Sequence, residues 1–412
     1  MKKQQLMAWL LAAGMLFLLP ACKGSDPTTP DTDSTGRVTE PADTGSETEP
    51  SKEEPKPDLS EFETTVLLHG EVEGVRRLGN RYLASDKQWN ADWVGSGLEL
   101  VIDCKGGSLT LRTSTDNPCR FRAWVDGEVW NNTDGTPYYT VNGVKNLVLA
   151  DLPAGVHTIR VVRVTDGTMT LAHFFNVTFY GTLLADRMPA DQPLNMEFLG
   201  ADAMSGLGVL GSSGVNGADG TLAYPYLTAG ALGADYTITS LAGRGLVTGT
   251  PSLSSAYLLS SPLRDGASYG FARAADFTVI DVGNVDFASG AKESAFREAY
   301  IRLLRTVSEK NGGGKKIYCV WRADDGFASL LSDICLELGG TEAGIYTLCL
   351  PAAAGESATA AEQQAYADAL VSLIRETKDA PVTEAPGLRP EEILIKDQGE
   401  GTQIGYNDPE WD

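Results

Sequence analysis

The chain has 412 residues, 42% of them hydrophobic, which is enough for two cored domains, and 33 basic against 55 acidic side chains give it a net charge of −22. That balance excludes the phosphate-neutralising surface that nucleic-acid binding needs. Much of the acidity gathers between Asp26 and Glu63 and again after Glu376, where it reads as solvated linker and tail.

The N-terminus carries Lys2 and Lys3, an apolar run from Leu6 to Leu19 too short to span a bilayer comfortably, and then Leu19-Pro20-Ala21-Cys22. This is the form of a lipoprotein signal peptide, residues 1–22, with Cys22 acylated as the first residue of the mature chain. Lys23 after the cysteine favours the outer membrane of a Gram-negative bacterium, so the expected location is the cell envelope. Residues 23–63 are Pro, Thr, Ser, Asp and Glu with hardly an apolar side chain. They cannot bury enough surface to order themselves and should serve as an extended tether.

Residues 64–188 show short alternating runs between glycine-containing turns: TTVLLHGEV, GLELVIDC, SLTLRTS, RFRAWVDGEVW, TPYYTVNG, NLVLADL, VHTIRVVRV and FFNVTFYGTLL. Period-two patterning in many short segments predicts an antiparallel β-sandwich or jelly roll. Cys104 and Cys119 flank what reads as a hairpin, so a bridge between them is possible in an oxidising envelope. Five cysteines follow Cys22, so at least one thiol stays unpaired within the chain. Cys319, Cys335 and Cys349 lie in apolar segments and read as buried hydrophobes. No CxxC or Cys/His cluster points to a metal, and no cofactor is implied.

In residues 189–377 the rhythm changes. Strand-like MEFLG, YTITSLA, FTVIDVG, KIYCVWR and IYTLCL alternate with helical AYPYLTAGALG, ESAFREAYIRLLRTVSEKNG, FASLLSDICLELG and AAEQQAYADALVSLIRET. Arg297, Ile301, Leu304 and Val307 have amphipathic helical spacing, and Asn311-Gly312 ends that helix. Alternation of this kind predicts an α/β/α domain with a five-stranded parallel sheet, flavodoxin-like, whose ligands bind beyond the carboxyl ends of the strands. Residues 378–412 turn Pro- and Glu-rich and read as an acidic tail.

The stretch Asn195 to Val209, NMEFLGADAMSGLGV, hands an apolar strand to a glycine-rich turn. It resembles the first block of the SGNH (GDSL-type) hydrolases and specifically of carbohydrate esterase family 2, with Glu197, Phe198, Gly200, Gly206, Gly208 and Val209 matching. In the β domain, Asn80-Arg81-Tyr82, Trp93-Val94-Gly95-Ser96-Gly97, Val125-Asp126-Gly127 and Leu152 to His157 resemble turn motifs of the same family. The resemblance implies a carbohydrate O-acetyl esterase. Such chemistry needs a nucleophilic serine, a histidine to move its proton, and N–H donors for the oxyanion.

Laid on that pattern, the serine position is Asp202, the oxyanion glycine is Gly243, the oxyanion asparagine is Val285, and the histidine block contains Glu356 and Ser357 instead. Asn284 sits one place early, mis-aimed on a strand end unless a loop turns it. The three histidines, His69, His157 and His173, all fall in the β domain. The expectation is therefore a non-catalytic relative that binds a polysaccharide, with Asp202, Arg244, Asn284, Asp286 and Trp93 as binding residues and Trp89, Trp124 and Trp130 as further stacking candidates. Asp202 also admits a plain reading as a helix cap. Two alternatives stand: an esterase rebuilt on Ser205 and Glu356, and an envelope scaffold for other proteins.

Overall fold

The computed structural model describes residues 58–79, 83–84, 87–264, 267–383 and 386–388. The expected signal peptide with Cys22, the expected linker up to residue 57, the Asn80-Arg81-Tyr82 motif and the residues beyond 388 lie outside them. The first sheet is antiparallel and holds β1 (Glu63–Leu67), β2 (Val75–Leu78), β3 (Leu83–Ala84), β4 (Trp89–Asn90), β5 (Gly97–Val125), β6 (Glu128–Trp130), β7 (Tyr139–Arg163) and β8 (Ala172–Leu183). Runs expected as separate strands are fused here: three of them form the 29-residue β5 and three more the 25-residue β7.

Register shifts near Gly107 and between Thr115 and Cys119 bend β5, as bulges do. Its two ends then flank one segment of β7. Glu99 and Trp124 are both register partners of Arg160, and Leu98 and Ala123 both of Val161. The inner face alternates Leu98, Leu100 and Ile102 with Phe121, Ala123, Ile159 and Val161, all buried in one apolar cluster.

Cys104 and Cys119 are free thiols, which rules out the intrachain bridge in this fold. They lie on one continuous strand rather than across a hairpin. Cys119 Sγ instead meets Thr165 Oγ1 at 2.9 Å. Cys319 and Cys335 are buried as expected, but Cys349, on an edge strand, is exposed.

The second sheet is parallel throughout, in the order β10 (Ala234–Ser240), β9 (Leu194–Gly200), β11 (Phe277–Asp281), β12 (Lys316–Arg322), β13 (Ile345–Leu350). This is the doubly wound arrangement expected from the strand–helix alternation, with its crevice where the order reverses between β9 and β11. The connections contain α1 (Asp202–Ser205), α2 (Gly214–Gly217), α3 (Tyr224–Leu232), α4 (Leu253–Ala256), α5 (Asn284–Ala288), α6 (Glu293–Lys310), α7 (Ala328–Glu337) and α8 (Ala360–Thr377). Helix α8 starts on a capping box between Thr359 and Glu362, and α3 ends on Gly233 in the left-handed region.

The buried stripe of α6 is Phe296, Tyr300, Leu303, Leu304 and Val307, shifted from the stripe read in the sequence. Arg297 points outward to Glu337. Asn311 closes the helix, and its side chain donates to Glu197, Thr278 and the Val307 carbonyl. After α8 the chain stays on the α/β domain as far as Leu388, which is buried in that core.

The two domains are joined by polar side chains without solvent access. Arg163 is fully buried and donates to the carbonyls of Ala91, Thr165, Asp166 and Thr170 at 2.7 to 3.0 Å. It shapes the turn that carries Asp166 to the α/β domain. Asp219 is equally buried and accepts from Tyr138 at 2.8 Å and Arg122 at 3.3 Å. Replacing Arg163 with Met strands four carbonyls in a dry interior, a loss of at least about 3 kcal/mol. Urea unfolding of Arg163→Met should show a lower midpoint; an unchanged midpoint contradicts the role given to Arg163.

Candidate functional site

Parallel register puts Gly200 level with Ser240 on one side and Asp281 on the other. The segments leaving β9, β10 and β11 therefore start side by side. In the segment after β10, Leu241 to Thr248, four backbone amides donate to three carboxylates. Ala242 N donates to Asp166 Oδ2 at 3.2 Å and Gly243 N to Asp202 Oδ1 at 2.6 Å. Leu246 N and Val247 N donate to Asp286 at 2.6 and 2.9 Å, with Thr248 Oγ1 at 3.1 Å. Gly245 permits this approach, because a Cβ there would overlap the Asp286 carboxylate.

Asp202 is the first residue of α1, and the N-cap position is Ala201, which makes no side-chain cap. The capping reading is thus corrected: the carboxylate crosses to the next loop instead of serving its own helix. The four-residue helix leaves it little to cap. Asp286 is corrected as well. It is fully buried and holds the 246–248 backbone, so it is not open to a ligand.

Trp93 is 1% exposed, with its indole N–H on the Ser260 carbonyl at 2.8 Å; its size and that bond place it in the core rather than on a binding face. Trp89 is buried in the same way, whereas Trp124 and Trp130 are half-buried. The half-buried Arg244 lies against Gly249, away from the cleft described next.

Beyond the carboxyl ends of β9, β11 and β12 is a cleft of about 290 Å³. Asp202, Asn284, Arg322, Asp324, Asp325, Glu356 and Ser357 line it, with Leu207 and Phe287 as apolar walls. Asn284 reaches it because Gly283, at φ +129°, re-aims the chain into α5. Val285, at the asparagine position of the family pattern, packs against the core. Phe287 is 54% exposed and sits on Gly326 so closely that a Cβ there would enter the ring. Phe327 meets it edge-on, ring centroids 5.4 Å apart. This is an aromatic platform on a rigid support.

Sequence reasoning missed Phe287, Arg322, Asp324 and Asp325. One signal was available: Trp321-Arg322-Ala323-Asp324-Asp325 runs straight off a strand end, where ligands of such sheets bind.

The rebuilt catalytic pair does not assemble. Ser205 is fully buried, donates to the Asp202 carbonyl at 2.9 Å and accepts from Leu207 N at 3.2 Å, closing its own turn. Glu356 is exposed on the cleft wall and Ser205 is not among the cleft residues. None of the three histidines lines the cleft either. His157 is held by Asp126 at 2.7 Å and faces the Pro153 carbonyl at 3.1 Å, while His173 sits between Gln88 and Arg264, its pKa lowered by burial and by the Arg264 charge.

No protein-family model and no curated protein matches this chain. Solved structures do, and they show the fold to be that of family 2 carbohydrate esterases, with likeness extending to GDSL-like hydrolases. A family two carbohydrate esterase from Clostridium thermocellum, in complex with cellohexaose, is 22% identical, with a TM-score of 0.65 over 74% of this chain and 98% of its own. The acetyl xylan esterase Est2A from Butyrivibrio proteoclasticus is 17% identical with a TM-score of 0.66, over 76% and 98%. A putative GDSL-like lipase from Bacteroides ovatus is 8% identical with a TM-score of 0.51, over 76% and 98%.

Three carboxyls around the site are held above the usual 3.8. Burial raises Asp166, against hydrogen bonds from Thr168; it raises Asp281, against the Arg322 charge; and it raises Asp325, against the Phe327 amide. A carboxyl with a raised folded pKa takes up its proton first in the folded state. Its burial penalty is felt at neutral pH and relieved as pH falls toward 3.8. The contribution of these three groups to thermal stability should therefore grow as the pH is lowered from neutral toward 3.8. Asp281→Asn keeps an acceptor for the Tyr224 hydroxyl, 3.0 Å away, and should flatten that slope; an unaltered slope in this variant contradicts the assignment.

Proposed function

We propose that this chain is an envelope protein, lipid-anchored through Cys22, that holds a glycan in the cleft and does not deacetylate it. One observation carries the reading: the carboxylate of Asp202 already occupies the Gly243 N–H, 2.6 Å away. In the family pattern that amide helps to stabilise an acyl oxyanion. An anion developing there would have to displace a fixed negative charge, and electrostatic stabilisation of that kind is commonly the largest single contribution to such catalysis.

The remaining parts of an esterase are equally short. Val285 offers no side-chain donor, Ser205 is closed in its turn, and no imidazole lines the cleft. An aspartyl nucleophile would form an anhydride that still needs a positioned base for water. What the cleft does offer is a flat apolar ring beside fixed polar groups. Phe287 can lie against the apolar face of a pyranose while Asn284, Arg322 and Asp324 meet its hydroxyls. That the related C. thermocellum esterase holds cellohexaose supports an oligosaccharide as the occupant.

Purified protein incubated with 4-nitrophenyl acetate and with acetylated xylan is expected to release acetate no faster than buffer. Saturable turnover abolished by Ser205→Ala or Glu356→Gln overturns the non-catalytic reading. In native gels cast with soluble polysaccharides, at least one polymer is expected to retard the protein, and Phe287→Ala should weaken that retention about tenfold, the worth of one stacking contact. Retention indifferent to Phe287→Ala counts against the cleft as the binding site.

A further inference from the structure

A second groove lies where the outer face of the β domain meets α3. Its floor is a row of side chains across neighbouring strands: Arg76 is the register partner of Glu99, Glu99 of Arg160, and Arg160 of Trp124. Residues directly opposite one another share a face, and the alternate positions Leu98, Val125 and Ile159 are in the core. The row therefore points outward. Tyr226 of α3 forms the opposite wall, and the groove holds about 600 Å³, within the range of small-ligand sites.

The polar groups in the groove are fixed before any ligand arrives. Glu99 is 2% exposed and is gripped by Arg76 at 2.6 Å and Arg160 at 2.7 Å. Asp126, half exposed in its turn, accepts from Thr158 N at 2.8 Å and pairs with His157 at 2.7 Å. The Trp124 indole is half-buried, and the Arg122 guanidinium lies 5.1 Å from its centroid, taking one face. The charges of Arg76 and Arg160 are matched by those of Glu99 and Asp126, so the groove carries no surplus cation for an acidic sugar.

We propose that this groove is a second glycan subsite that takes a neutral pyranose, its apolar face on the part of the Trp124 indole that lines the groove and its hydroxyls on Arg160, Asp126 and Thr158. Stacking plus pre-oriented hydrogen bonding is the chemistry that recognises an uncharged sugar, and little is lost to ordering when the groups are already held. Nothing in this inference depends on what the cleft binds.

The test is retention in native gels containing hydroxyethylcellulose, xylan, glucomannan or mixed-linkage glucan, read for the wild type, Trp124→Ala, Trp124→Phe and Phe287→Ala. On the polymer that holds the wild type, Trp124→Ala should lose about tenfold in affinity, and Trp124→Phe should keep most of it. Loss with Trp124→Ala but not Phe287→Ala upholds the groove and removes the cleft; the reverse pattern overturns the groove and leaves the cleft standing. Absence of wild-type retention on every polymer also overturns it, as does a change of oligomeric state in Trp124→Ala in place of a change in retention. Should Trp124→Ala fail to fold, N-bromosuccinimide oxidation of the wild type, mapped by peptide mass, replaces it. Cellohexaose is expected to protect Trp124, and equal oxidation with and without the sugar overturns the proposal.

Discussion

A loop of backbone amides, Leu241 to Thr248, is held by carboxylates from three separate places: Asp166 from the β domain, Asp202 after β9 and Asp286 after β11. Four of its amides, from buried Leu246 to exposed Gly243, end on these anions, while the amides of Leu241, Arg244 and Gly245 donate to the carbonyls of Gly200, Leu241 and Thr248. The loop is thereby tied to both domains and to two neighbouring strand ends. Asp166 reaches it only because Arg163 gathers the Thr165, Asp166 and Thr170 carbonyls around its guanidinium. The geometry at the crevice depends on that chain of bonds.

The same bonds set what the site can do. An N–H that faces a carboxylate is spent, and a negative charge close to the crevice repels any other that forms there. Parallel register fixes the neighbours: Gly200, Ser240 and Asp281 stand level, so side chains two or three residues on converge. Under the proposed reading, the side chains that converge there serve recognition of a glycan. Phe287, propped on Gly326 and Phe327, supplies a surface suited to it.

The order of strands and long helices was legible because it rests on periodicity and length, which local sequence carries. The apolar runs of β9 to β13 and the Asn311-Gly312 stop of α6 mark themselves. What was hidden depends on contacts across the fold. Trp93 reads as a stacking residue until its N–H is seen on Ser260, far along the chain. Asp286 reads as a pocket residue until Gly245 lets the loop close on it. Continuous β5 and β7 look like separate strands because their bulges fall where turn residues fall. Phe287 lies in a five-residue helix too short to show a period, and its exposed ring rests on Gly326, a contact that only the fold brings about. Asp202 lines the crevice, and its carboxylate meets the Gly243 amide across the fold rather than its own helix, a contact that local sequence does not carry.

The central claim is that Asp202 keeps the Gly243 amide occupied. Amide hydrogen exchange followed by NMR at Gly243 tests it most directly, in the wild type and in Asp202→Ala. Slow exchange in the wild type, fast exchange in the variant, and unchanged protection at Leu246 and Val247, which Asp286 holds, is the predicted result. A Gly243 amide that exchanges at the rate of open chain in the wild type, or that ignores the substitution, contradicts it.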